Sequence, residues 1–236
     1  MIDNLKIKIF SDGADKINML DMYSKSYIKG LTTNPTLMRK AGIKNYKSFC
    51  LDILKDIKDK PISFEVFSDD FEEMEKQANE IASWADNVYV KIPITNTKKE
   101  TSYELIKRLV LNKIKVNVTA IMTLNQVQLT VDSLDSKTPS YISIFAGRIA
   151  DTGVDPVPIM IKALEIMKVN KSSELIWASP RELLNLIQAN QIGCHIITVT
   201  PDILNKIKYL GYDLESFSLD TVKMFYNDSI VAGYTL

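Results

Sequence analysis

The chain has 236 residues, 46% of them hydrophobic and 25% charged, which allows a sizeable core and argues against a disordered chain. Lysine plus arginine and aspartate plus glutamate each number 29, so the formal net charge is zero, and neither nucleic acid nor an anionic membrane surface is favoured as the main partner. A small ligand held by local charges fits this balance better.

The N-terminal MIDNLKIKIF alternates charged with apolar residues and lacks the apolar stretch and cleavage site of a secretory leader, and no later segment approaches a membrane-spanning run. A cytoplasmic protein is expected. The first strand is IKIF (7–10), followed by the polar SDGAD, and the second is YIKGLT (27–32), which runs into TNP. YKSFCLDILKDI spaces apolar residues by three and four and predicts a helix, after which ISFEVF (62–67) predicts a strand and DFEEMEKQANEIASWA another helix. NVYVKI (87–92), the helical SYELIKRLVLNKI, KVNVT (115–119) and YISIFAG (141–147) continue the alternation. PVPIMIKALEIMKV, ELIWAS (174–179), PRELLNLIQAN and HIITVT (195–200) complete it, and LESFSLDTVKMFYNDSIVAGYTL adds a C-terminal helix whose aromatic and Met positions should pack on the body or on a neighbouring subunit.

About eight strands alternating with helices, about 20 to 30 residues apart and without a Gly/Ser/Pro linker, predict an α/β fold: one (β/α)8 TIM barrel domain over residues 1–236 with an extra C-terminal helix. A doubly wound open sheet is the alternative, but its GxGxxG phosphate fingerprint is missing after the first strand. Cys50 and Cys194 lack metal-ligand spacing and read as buried fillers. His195 is the only histidine, hence the only base for a Ser/His/Asp relay.

In a barrel, chemistry belongs at the C-terminal ends of the strands. Asp12, Asn34, Glu65, Lys91, Thr119, Ser143, Arg148, Ser179 and Arg181 all fall at or just beyond such ends, and Asn117 shares a strand face with Thr119. For Ser179, as for Thr36 and Thr200, a turn or helix-capping role competes with a functional one. Lys91 is the anomaly. An ammonium inside the Val/Tyr/Ile run of VYVKIP costs several kcal/mol, on the order of a desolvated ion, unless it is paired, reaches water or loses its proton. Glu65 interrupts the preceding strand in the same way. The two form either a structural ion pair or a functional one, and perturbed buried charges cluster at sites.

In order and approximate spacing, GLTTNPTLMRKAG, VYVKIP, NVTAIMTLNQ, SIFAGRIAD and IWASPREL resemble the signature blocks of transaldolases and their close relatives, the fructose 6-phosphate aldolases. This resemblance spans nearly the whole chain. It implies a metal-free, cofactor-free class I mechanism with Lys91 as Schiff-base lysine, its amine freed by desolvation in an apolar strand. By matched position it makes Asp12 the acid/base for carbon–carbon cleavage, and Glu65 with Thr119 the group that positions and activates water, Glu65 shuttling the proton. Asn34 would hold a substrate hydroxyl, Ser143 and Phe145 would line the sugar channel, and Arg148, Ser179 and Arg181 would bind the phosphate of sugar-phosphate substrates. Fructose 6-phosphate aldolases typically carry Gln and Tyr where this chain has Glu65 and Phe145, which favours transfer over release of dihydroxyacetone. Release, or a non-catalytic sugar-phosphate binding barrel, are the alternatives. Ile144 replaces a usual Pro and Pro180 departs from the phosphate block, and short relatives imply a homo-oligomer such as a decamer.

Overall fold

In the computed structural model, which describes residues 2 and 5–236, eight parallel strands close into a barrel in sequence order. The expected absence of a leader falls partly on Met1, Asp3 and Asn4, which lie outside the described residues. The strands are β1 (Lys8–Asp12), β2 (Ile28–Thr32), β3 (Ile62–Glu65), β4 (Val88–Pro93), β5 (Val116–Ile121), β6 (Ser140–Ile144), β7 (Ser173–Trp177) and β8 (Ile196–Val199). The helices are α1 (Lys16–Ser24), α2 (Pro35–Lys40), α3 (Tyr46–Asp56), α4 (Phe71–Ala82), α5 (Tyr103–Leu111), α6 (Leu124–Ser133), α7 (Ala146–Ala150), α8 (Val157–Met167), α9 (Leu184–Gln191), α10 (Pro201–Leu204) and α11 (Leu214–Ala232). No helix among the described residues is long and apolar enough to cross a membrane.

The strand period of two explains how one short run serves two surroundings. Ile62, Phe64, Val90, Ile92, Val116, Val118, Ile142 and Ile144 belong to the large core, together with helix residues such as Met74, Ala78, Leu105, Ile106 and Leu109. The alternate positions face into the barrel. Low in the barrel these are aromatic or aliphatic: Phe10, Tyr141, Ile176 and Ile196 form a second buried cluster against Tyr89, with Tyr89 stacked on Tyr141 at 4.0 Å and Phe10 edge-on to it at 5.7 Å. Gly30 is fitted to this floor, because a Cβ there would come within 2.5 Å of the Phe10 ring. Higher up the same positions are polar. The VYVKIP strand is therefore not apolar on both faces: Lys91 sits on its inner face, in register with Glu65 on β3 and Asn117 on β5.

Side-chain caps fix where several helices begin. Asp15, Asn34, Asn45, Asp70 and Asp213 each accept from a backbone N–H three residues on, and Thr123 with Gln126 forms a full capping box on α6. Several strands are shorter than predicted, β2, β7 and β8 by one or two residues and β3 and β6 at their C-terminal ends. β3 stops at Glu65 instead of running to residue 67, and β6 stops at Ile144, after which the chain coils into α7 instead of extending to residue 147. The C-terminal α11 buries none of its residues; Phe217 meets Tyr209 and Tyr212, but the helix's apolar side does not pack on the barrel.

Candidate active site

The strand ends converge on a cavity of about 480 Å³ lined by Asp12, Asn34, Glu65, Lys91, Asn117, Thr119, Ser143, Phe145, Arg148 and Ser179. Ten of the eleven residues singled out from the sequence are thus brought together. The eleventh, Arg181, borders an adjoining cleft with Lys40, Ser179 and Thr200, and its guanidinium is held by both oxygens of Asp151, with Nε at 2.9 Å.

Lys91 is 7% exposed. Its Nζ lies 3.1 Å from a Glu65 carboxylate oxygen and donates to the Thr33 carbonyl at 3.1 Å. The charge is therefore paired and hydrogen-bonded, and the pair opens onto the cavity instead of being sealed in the core. Asp12 stands across the barrel on β1. Burial raises its carboxyl above the usual value; the Lys91 charge and the Thr32 hydrogen bond work the other way, and the Glu65 charge adds to the rise. The Thr32 hydroxyl donates to Asp12 at 2.8 Å, so the Thr198 hydroxyl 2.5 Å away must donate to Thr32 in turn.

A raised carboxyl has a consequence for stability. The folded chain binds this proton more tightly than the unfolded one, so Asp12 costs stability as pH rises past the ordinary carboxylate range, and the cost is complete above its folded value. Asp12→Asn keeps an acceptor for Thr32 while removing the charge. It should melt higher than the parent at pH 7, by about 2 to 4 °C for each kcal/mol recovered, and the gain should vanish as pH falls toward the ordinary carboxylate range. Thermal melts across pH test this, and a gain that grows on acidification would refute it.

Beneath the lysine, Ser143 donates to the Asn117 carbonyl at 2.7 Å and the Asn117 amide donates to Ser63 at 3.1 Å. The Ser143 proton is committed, which leaves its oxygen to accept from a ligand. Asn34 spends its carbonyl capping α2, accepting from Leu37 N–H at 2.9 Å, so its NH₂ is the group that can serve a ligand. The capping and functional readings are compatible there. Thr119 Oγ1 is buried with no hydrogen-bond partner among the described residues, although it lines the cavity.

On the far wall, Gly147 passes so close to Ser179 that a Cβ would fall 1.5 Å from the Ser179 carbonyl oxygen. Ser179 itself is left-handed at φ 60°, and so is Ala120 at φ 62°, where the β5–β6 register slips. Two strained non-glycine residues thus face one cavity, which is where such strain tends to collect. Arg148 lies over the Phe145 ring at 5.7 Å.

Sequence reasoning missed Lys40, which lines both cavities, and the Thr32/Thr198 pair behind Asp12. Lys40 carried a weak signal as a basic residue in the last turn after TTNP. His195 lies outside this site: it precedes β8, at the opposite end of the barrel, and its Nδ1 accepts from Leu175 N–H at 2.9 Å. Cys50 and Cys194 are buried, and burial pushes both thiols up to about 12. Among the described residues no three of His, Cys, Asp and Glu converge to hold a metal ion.

Solved structures share the fold at low identity. A 2,3-dimethylmalate lyase superposes with a TM-score of 0.58 at 11% identity, covering 93% of this chain and 86% of that one. A structure described as native KDPGal gives 0.55 at 11% identity, covering 83% and 82%. Sequence relatives are nearer. A probable transaldolase of Clostridium kluyveri is 35% identical over 199 residues, covering 84% of this chain and 88% of its own. One from Methanococcus maripaludis is 32% identical over 205 residues, covering 85% and 89%. The family model described as transaldolase/fructose-6-phosphate aldolase matches residues 9–230. With its closed barrel and nearly its whole length matched, the chain belongs to the transaldolase/fructose-6-phosphate aldolase family.

Proposed function

We propose that the chain is a transaldolase, moving a dihydroxyacetone unit from a ketose phosphate to an aldose phosphate through a Schiff base on Lys91. The observation that carries this reading is a primary amine in a cavity wall, 3.1 Å from the Glu65 carboxylate, with Asp12 on the same cavity. The Lys91 amine attacks the ketose carbonyl carbon, and the carbinolamine loses water as Glu65 gives and takes the proton. Asp12, a stronger base than an ordinary aspartate because of its burial, removes the proton of the hydroxyl beyond the breaking carbon–carbon bond. That bond's electrons pass into the iminium, leaving an enamine on Lys91, and the aldehyde departs. The acceptor's carbonyl carbon is then attacked by the enamine, Asp12 returns a proton to the new alkoxide, and water releases the product.

Glu65 and Phe145, which stand where the aldolases resembling this chain carry Gln and Tyr, favour transfer, as do the relatives named probable transaldolase. Borohydride with fructose 6-phosphate should leave a covalent mass on the peptide containing Lys91. Without acceptor little free dihydroxyacetone should form, whereas erythrose 4-phosphate or glyceraldehyde 3-phosphate should restore turnover. No adduct at saturating substrate would leave a binding protein; dihydroxyacetone accumulating equally without acceptor would make the chain an aldolase.

The phosphate falls to Arg148 and Ser179, which line the cavity beside Lys40. Arg148→Ala should lower kcat/KM for phosphorylated substrates by about ten- to a hundredfold, the loss of a charge-assisted bond, with far less effect on dihydroxyacetone as donor. Arg181→Ala should cost less, because that guanidinium is already spent on Asp151 at an exposed position. Equal losses with phosphorylated and unphosphorylated donors would remove the assignment.

A further inference from the structure

Parallel strands exchange backbone hydrogen bonds with each neighbour at every second residue. On the β2 side of β3 those residues are Ser63 and Glu65: Thr33 N–H donates to the Ser63 carbonyl at 3.3 Å, and the next rung belongs to Glu65. By then β2 has left the sheet. Its chain turns at Asn34 into α2, so no strand stands beside the Glu65 peptide groups on that side. A side chain takes the vacant place. The Tyr46 hydroxyl donates to the Glu65 carbonyl at 2.7 Å and accepts from Glu65 N–H at 2.8 Å. One phenol thus supplies both halves of the missing rung, with its single proton directed at the carbonyl and a lone pair at the N–H.

We propose that Tyr46 is a positioning residue for Glu65, holding its backbone so that the carboxylate meets the Lys91 amine. The inference rests on the reading of Glu65 as the proton shuttle of imine exchange. Several features make the clamp rigid. Tyr46 is the first residue of α3, whose start is fixed by the Asn45 cap on Ser48 N–H at 2.9 Å. Its ring packs edge-on against Phe67 at 5.3 Å and tilted against Trp84 at 6.4 Å, and Trp84 rests on Phe64 of β3. Burial pushes the phenol well above its usual range, so it stays neutral and able to donate as well as accept. Glu65 stands opposite Lys91 in register, so a shift of the β3 end is a shift of the carboxylate relative to the amine.

Tyr46→Phe tests this because it deletes the hydroxyl and leaves the ring. Circular dichroism should show the parent fold, and Lys91 should still be trapped by borohydride with fructose 6-phosphate. The trapping rate and kcat should fall about ten- to a hundredfold, the scale of a misplacement near 1 Å, with KM changed less than kcat and the acidic limb of the kcat–pH profile displaced. In a Glu65→Gln background the same substitution should add less than twofold, since the group it positions is gone. Phe67→Leu, which trims one contact of the ring at an exposed position while the hydroxyl, the Trp84 contact and the Asn45 cap remain, should leave the rate within about twofold of the parent. Parent-like rates in Tyr46→Phe, an undiminished effect in the Glu65→Gln background, or an equal loss in Phe67→Leu would each overturn the positioning role. If Tyr46→Phe fails to fold, the clamp is structural and the proposal falls with it. Failure of the parent itself to form a Lys91 adduct would instead remove the Schiff-base reading on which the inference depends.

Discussion

Lys91→Arg should be inert, with ketose cleavage and transfer reduced by at least roughly 10⁴-fold, as expected when the only covalent nucleophile is lost. The substitution is informative because it retains the charge beside Glu65, 3.1 Å from Nζ in the parent. Arginine stays protonated at any working pH and forms no stable imine under these conditions. A purely structural ion pair would tolerate the exchange better than Lys91→Ala, which leaves Glu65 and Asp12 facing one cavity without the cation between them. Both variants should lose activity and the borohydride adduct alike, whatever their melting temperatures. Cleavage by the arginine variant within tenfold of the parent would end the Schiff-base assignment.

Glu65→Gln carries the second largest expected effect. An amide can orient water near the imine but cannot accept and return its proton, so imine exchange should slow by roughly 10² to 10⁴, the scale of general acid/base catalysis. Hydrolysis of the imine needs water to be activated, whereas in its formation the Lys91 amine attacks directly, so rapid mixing with fructose 6-phosphate should show product release slowed more than adduct formation. Transfer to an aldose phosphate should suffer in proportion, and parent-like release would show that another group moves the proton.

Most of the barrel was legible because its signal is local. Each apolar run marks a strand, each three-and-four spacing a helix, and the polar interruptions fall where the strands end. The Glu65–Lys91 pair was legible for the same reason, since consecutive strands are neighbours in a barrel closed in sequence order. Arg181 was not, because what holds it is Asp151, 30 residues earlier in the chain, and no sequence spacing announces that pairing. Ala120 was hidden by its chemistry: alanine gives no hint of φ 62°, which arises from the register slip between β5 and β6. The ends of β3 and β6 were misjudged because a run of apolar residues continues past the point where the neighbouring strand turns away. The tail was readable as a helix, but its propensity could not say that its apolar side would miss the barrel.

The aromatic floor of the barrel gives the cavity one doorway. With Tyr89 stacked on Tyr141, Phe10 against them, and Ile176 and Ile196 filling the remaining space, the passage toward the other end is plugged. Whatever comes in must go out the way it came. On the proposed mechanism, a donor that leaves its fragment on Lys91 would have to clear its own aldehyde through the mouth before an acceptor could descend, so the two substrates would take turns and reciprocal plots of the two-substrate titration should be parallel. Water descends by the same route, and the yield of transfer over hydrolysis becomes a race at a shared entrance.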